Sequence, residues 1–183
     1  MAILTKGEFS TIAGNKAGIR GLKGAVSQTR VFSKADSTTS IFLSHSHNDK
    51  DVVEQAKIFF ENLQISIYVD WADQTMPDQT NGLTATKIKN QIITGNDKFI
   101  LLATNNAVTS KWCNWEVGIA DPFKLPHKKM ALLPLADNNG VWFGNEYLQI
   151  YPRIERGTSS TNEYWVWNPD GTLEQLSHWL KRK

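Results

Sequence analysis

From residue 41 to about residue 136, short apolar runs alternate with segments whose apolar positions recur every three or four residues, and this alternation sets the expected fold. Ile41-Phe42-Leu43 breaks at once into polar Ser44-His45-Ser46-His47, the pattern of a buried strand ending in a loop. Asn48 is placed to cap a helix with Asp49 and Asp51 in its first turn, and Val52, Ala56, Phe59 and Leu63 mark its apolar face. The β-branched run Ile65-Ser66-Ile67-Tyr68-Val69 predicts a second strand. A long polar loop follows from Asp70 to Gly82, containing Pro77 and the turn pair Asn81-Gly82. Thr84 to Ile93 has helical spacing at Ala85, Ile88 and Ile92, with a stop at Gly95-Asn96. Phe99-Ile100-Leu101-Leu102-Ala103 is apolar throughout and reads as a strand buried on both faces. A helix from about Ser110 to Ala120 is expected to stop before Pro122, and Met130-Ala131-Leu132-Leu133 gives a fourth strand.

Beyond residue 136 the pattern weakens. Leu148-Gln149-Ile150-Tyr151 predicts a fifth strand, and Asn168-Pro169-Asp170-Gly171 a turn. Thr172 with Gln175 suggests a capping box for a last helix whose apolar side is Leu173, Leu176 and Leu180. Tyr164, Trp165 and Trp167 are expected to pack beneath that helix. Apolar strands alternating with helices indicate a parallel sheet covered on both faces, a flavodoxin-like α/β sandwich.

Composition narrows the chemistry. The 183 residues fit one domain, divided here into a basic N-terminal extension (1–40), a core (41–136) and a C-terminal completion (137–183). Cys113 is the sole cysteine, which excludes an intrachain disulfide, a redox pair or a cysteine-rich zinc cluster. No apolar run has signal-peptide or membrane-span length, so a soluble, cytoplasmic protein without membrane contact is expected. The net charge of +2 is too small to argue for nucleic-acid binding. Residues 1–40 have a balance of +4, from Lys6, Lys16, Arg20, Lys23, Arg30 and Lys34 against Glu8 and Asp36, which leaves −2 for the rest, and they are read as a solvated, loosely packed segment ending in the linker Ser37-Thr38-Thr39-Ser40.

In an open parallel sheet, ligands bind beyond the C-terminal strand ends. The polar candidates gather there: Ser44-His45-Ser46 after the first strand, Asp70-Trp71 after the second and Thr104-Asn105-Asn106 after the third. Trp112 and Glu116 stand four residues apart on the next helix and so share a face, an aromatic surface beside a carboxylate. Apolar neighbours leave Glu116 little room for a solvent face, while Trp115 reads as plain core. His45 and His47 lack companion ligands, so no metal site is assigned. Mid-helix Cys113 reads as a small buried hydrophobe, and no Gly-rich phosphate loop is present.

Together, Ile41-Phe42-Leu43-Ser44-His45-Ser46 with Asn48-Asp49-Lys50-Asp51, the strand end Tyr68-Val69-Asp70-Trp71, and Ser110-Lys111-Trp112-Cys113-Asn114-Trp115-Glu116 resemble a bacterial Toll/interleukin-1 receptor (TIR) domain. The resemblance covers about residues 41–136 and is most specific at Trp112-x-x-x-Glu116. It implies a five-stranded parallel sheet with helices on both faces and, where the glutamate is kept, cleavage of the nicotinamide N-glycosidic bond of NAD+ by hydrolysis or cyclisation. It further implies Glu116 as the catalytic carboxylate and Ser44, His45, Ser46, Trp71, Lys111 and Trp112 as NAD+ contacts, with no cofactor, NAD+ being the substrate. The 70–82 loop corresponds to the family's assembly loop, so a homo-oligomer is expected. A stand-alone domain of this kind is similar to the signal-producing TIR proteins of Thoeris-type antiphage defence, which implies a cyclic ADP-ribose isomer as product and a product-sensing effector as partner. Two rivals remain: a non-enzymatic TIR adaptor, and a nucleoside 2-deoxyribosyltransferase-like enzyme with a nucleophilic carboxylate.

Overall fold

The computed structural model describes residues 2–17, 39–76, 81–158 and 163–182. Along these run β1 (Leu4–Thr5), α1 (Lys6–Ala17), β2 (Ser40–Ser44), α2 (Lys50–Glu61), β3 (Ser66–Tyr68) and α3 (Gly82–Asn90), the last prolonged by a π-turn over Gln91–Gly95. They continue as β4 (Lys98–Ala103), α4 (Asn105–Thr109), α5 (Lys111–Lys124), β5 (Met130–Ala136), β6 (Arg153–Arg156), β7 (Tyr164–Trp167), β8 (Leu173–Gln175) and α6 (Leu176–Lys181). Strands β3-β2-β4-β5-β6 lie side by side and parallel, which is the expected five-stranded sheet. Antiparallel β7 and β8 widen it, and β1 pairs in parallel with the end of β5.

Every residue of β2, β4 and β5 is buried, so the two-residue period sorts side chains to two cores rather than to core and solvent. Ile41, Leu43, Ile100 and Leu102 join Val53 and Phe59 of α2 and Phe9 of α1. Phe42, Phe99 and Leu101 join Ile88 of α3 and Val117 and Ala120 of α5. Successive strands β3 and β4 flank β2 on opposite sides, a switch in strand order that leaves a crevice at the C-terminal ends of β2 and β4.

Several elements differ from the expectation. The first residues are no loose extension: α1 packs on α2, Phe9 is fully buried with its ring 5.5 Å from Phe59, and Ala2 bridges to Arg156. The rest of the basic segment and Ser37-Thr38 of the expected linker lie outside the described residues, while Ser40 already belongs to β2. Pro122 sits inside α5 instead of ending it. The carbonyl that its missing N–H frees belongs to Gly118, and both residues are exposed, so the proline falls on the solvent side of the helix, where its cost is least. The expected strand at 148–151 is a 3-10 turn over Glu146–Ile150, because only Leu148 and Tyr151 bury, a three-residue spacing. The fifth strand is β6 instead. Thr172 bonds to Asp170 across the turn rather than capping a helix, Leu173 is exposed in β8, and α6 begins only at Leu176. The turn at Asn168–Gly171 forms as expected, with Gly171 at φ +84°, a conformation that disfavours any side chain.

Candidate active site

The crevice brings the end of β2 against α5. Ser110 caps α5 by accepting a hydrogen bond from the Cys113 amide at 3.3 Å, which fixes the helix start and thereby the face that carries Trp112 and Glu116. Ser44, the last residue of β2, donates from Oγ to Glu116 Oε2 at 2.5 Å. Glu116 is only 3% exposed. Burial above all pushes its carboxyl up to about 8; the Ser44 hydrogen bond opposes the shift, the Asp70 charge adds to it and the Trp112 indole opposes it. At neutral pH the resting carboxyl is therefore mainly protonated.

His45 follows directly. Its Nδ1 lies 3.0 Å from the Leu43 carbonyl, and its Nε2 faces Asp70 Oδ1 at 3.6 Å. The carbonyl accepts only, so Nδ1 carries the hydrogen and Nε2 the lone pair. Burial holds the imidazole below its ordinary pKa, against the raising effects of the Leu43 carbonyl and Asp70. Asp70 opens a 3-10 turn over Asp70–Ala72, and its charge reaches both His45 and Glu116. The Tyr68 hydroxyl donates to Asp73 at 2.8 Å, tying β3 to the loop after it.

Other expected contacts are placed less directly. Ser46 is buried, but its hydroxyl accepts from the Asn48 amide and caps the turn His47–Asp49. Trp71 is 42% exposed, with the Lys57 ammonium of α2 5.8 Å from its ring. Lys111 is exposed in the first turn of α5. Trp112 is half-buried, and Trp115, read as core, is instead 37% exposed and packs its ring 4.9 Å from that of Trp112. Burial pushes the Cys113 thiol up to about 11, leaving it a hydrophobe rather than a nucleophile.

Asp49 is the residue whose part the sequence did not reveal. Instead of complementing a helix dipole it is buried, accepting from Thr104 Oγ1 at 2.5 Å, Asn106 Nδ2 at 2.9 Å and Lys6 Nζ at 3.2 Å. Asn105 is likewise committed, to Asp137 at 2.8 Å. Thr104, Asn105 and Asn106 therefore lock the loops together instead of lining the crevice. Asn48, the expected cap, leaves the N-cap position of α2 to Asp49. The one signal available was the density of Asp and Asn in the two loops, since short polar side chains favour loop-locking hydrogen bonds.

The TIR domain family matches residues 41–146. The chain belongs to the TIR family. A relative from Bacillus cereus (strain MSX-D12), named probable 3′ cyclic ADP-D-ribose synthase ThsB′, is 30% identical over 149 residues, which cover 78% of this chain and 75% of that protein. That likeness extends beyond the TIR match itself, so the relative also shares sequence outside residues 41–146.

A separate concavity of about 380 Å³ lies elsewhere on this TIR domain, lined by Trp142, Asn145, Gln149, Arg153 and Trp167 among others and sharing no residue with the crevice. Among the described residues, no three His, Cys, Asp or Glu side chains converge to hold a metal ion, and no helix is long and apolar enough to cross a membrane.

Proposed function

We propose that this TIR domain cleaves the nicotinamide N-glycosidic bond of NAD+ with Glu116 as its essential carboxylate, closing the ribose onto a hydroxyl of the same molecule to give a cyclic ADP-ribose isomer. The observation that carries the reading is the buried carboxyl of Glu116, bonded to Ser44 beside Trp112, in a chain 30% identical to a protein named as a cyclic ADP-ribose synthase. Nicotinamide is a cationic leaving group that departs neutral, so neither a metal nor a strong acid is required, and no cofactor is invoked. The barrier lies in an oxocarbenium-like ribose of the kind that carboxylates stabilise in glycosidases. A cationic nicotinamide riboside beside Glu116 favours the ionised carboxylate, reversing the effect of burial, and a water-poor crevice strengthens the attraction. Ser44 and Glu116 suit the ribose hydroxyls, and the faces of Trp112 and Trp71 suit the bases; Ser46 and Lys111 flank them.

A carboxyl 3% exposed is closed to substrate at rest, so the crevice opens before turnover. We assign the opening to self-association through the 70–82 loop. Exposed Trp71 at one end of it and Leu83, 71% exposed just past the other, offer apolar surface to a second copy. The product then acts in the cytoplasm as an antiphage signal read by an effector protein.

The closed carboxyl also suits a TIR adaptor that only assembles. Incubating the protein with NAD+ over a range of concentrations and resolving products by chromatography separates the two. Nicotinamide release by the wild type, lost by about a hundredfold or more in Glu116→Gln, supports the enzyme. No release at any concentration, or near-parental release by Glu116→Gln, refutes it.

A further inference from the structure

Cleavage of NAD+ leaves one proton to place. Nicotinamide takes the C1′–N electron pair and departs neutral, whereas the oxygen that replaces it, from a hydroxyl or water, must shed its hydrogen as the C1′–O bond forms. Glu116 is occupied with the ribose and with Ser44. Four buried side-chain polar atoms among the described residues lack a hydrogen-bond partner: His45 Nε2, Gln55 Oε1, Arg153 Nε and the Tyr164 hydroxyl. Of these, His45 Nε2 alone stands beside Ser44 in the crevice.

Building on the cleavage reading above, we propose that His45 Nε2 is the general base that takes the proton of the attacking hydroxyl. Three features of the geometry equip it. The Leu43 carbonyl, 3.0 Å from Nδ1, fixes the tautomer and the ring, leaving an Nε2 lone pair that is 97% enclosed as part of its side chain and has nothing to accept. Such a buried orphan costs stability unless a ligand supplies a donor. Asp70 Oδ1, 3.6 Å away, has no hydrogen to share with Nε2 at rest and becomes an ion-pair partner once Nε2 is protonated. The charged and titratable groups around the ring act in both directions: Asp70 and Asp49 favour the imidazolium, while His47, with its ring 6.1 Å away and edge-on, disfavours it. Glu116 is bonded to the neighbouring Ser44, and the Asp70 charge acts on both side chains, so His45 and Glu116 address the same crevice. In the balanced step, the C1′–N bond breaks, the C1′–O bond forms, the proton passes to Nε2, and the imidazolium returns it to solvent.

The test exploits an acceptor with no proton to lose. A pyridine base such as 3-acetylpyridine exchanges with nicotinamide through its ring nitrogen and needs no general base, though it needs the same bond cleavage. For His45→Gln, assayed on the full chain at high protein concentration, products formed on oxygen should fall about a hundredfold further than pyridine exchange does, the usual scale of general-base catalysis, any lost substrate contact lowering both alike. In the wild type, Glu116 titrates in both reactions, so capture by oxygen should show an acid-side loss beyond the one it shares with exchange, the excess being the protonation of His45. Equal losses of capture and exchange in a folded His45→Gln, or wild-type capture by it, would overturn the base. If His45→Gln does not fold, the wild type decides alone, since acid-side profiles of capture and exchange that coincide throughout overturn the base as well. A wild type that releases no nicotinamide refutes NAD+ cleavage itself, a result distinct from the loss of capture alone.

Discussion

Glu116→Gln should stabilise the protein while disabling it, and the gain should grow with pH. The carboxyl titrates near 8 in the folded chain against an ordinary 4.5, so between those values the folded state holds a proton that the unfolded chain has released. Its contribution to stability is full below about 4.5 and is lost as pH rises through about 8. At about 1.4 kcal/mol per pKa unit, the loss is about 1 kcal/mol at pH 5, about 3 at pH 7 and about 4 at pH 8. Glutamine imitates the protonated form: its Oε1 accepts from Ser44 Oγ and it never ionises. The variant's advantage should widen by about 3 kcal/mol between pH 5 and pH 8, whatever constant penalty the new amide brings. The remaining shifts cancel in the comparison. Lys98, held down to about 8 mainly by burial, adds stability only as pH rises beyond that value, and His45, also held below its ordinary value, costs stability as pH falls below about 6.5; both act in each protein. Denaturant melts of both proteins at pH 5, 7 and 8 measure the difference. A widening of about 3 kcal/mol corresponds to about 6–12 °C in Tm for a domain of this size. Parallel pH profiles would show that Glu116 does not titrate in this window and would refute the burial argument.

Three further outcomes follow from the packing. Trp112→Ala should raise the KM for NAD+ more than Trp115→Ala does, because Trp112 shares the Glu116 face and is half-buried; equal effects would assign both to mere ring packing. Specific activity should rise with protein concentration, and Leu83→Asp should flatten that rise without lowering Tm; constant specific activity over a wide dilution series, with a monomer by light scattering, would refute assembly. Phe9→Ala should cost about 3–5 kcal/mol in denaturant melts, since the ring is fully buried against Phe59; a loss under about 1 kcal/mol would return α1 to the status of a loose extension.

What the sequence determined by itself is whatever rests on local pattern and period. The all-apolar runs at 41–43, 99–103 and 130–133 required strands buried on two faces, and helical spacing between them required parallel crossovers, so the sheet and its ligand-binding end were legible. The four-residue interval from Trp112 to Glu116 was legible for the same reason, as was the apolar company that buries the carboxyl. Tertiary structure decided the matters that depend on partners distant in the chain. Ser44 meets Glu116 across 72 residues, and Asp49 meets Thr104 and Asn106 across 55 and 57, separations that no periodicity records. The basic first residues looked solvated because their charges are mostly of one sign, yet the aromatic ring at Phe9, the strand pair at Leu4–Thr5 and the Lys6–Asp49 ion pair dock the described ones. The segment at 148–151 has the hydropathy of a strand, but the edge of β5 is taken by β1 and β6, and without a ladder its backbone closes a 3-10 turn instead. A side chain's pattern says which way it faces; its partner, and therefore its protonation, is fixed only when the chain has folded around it.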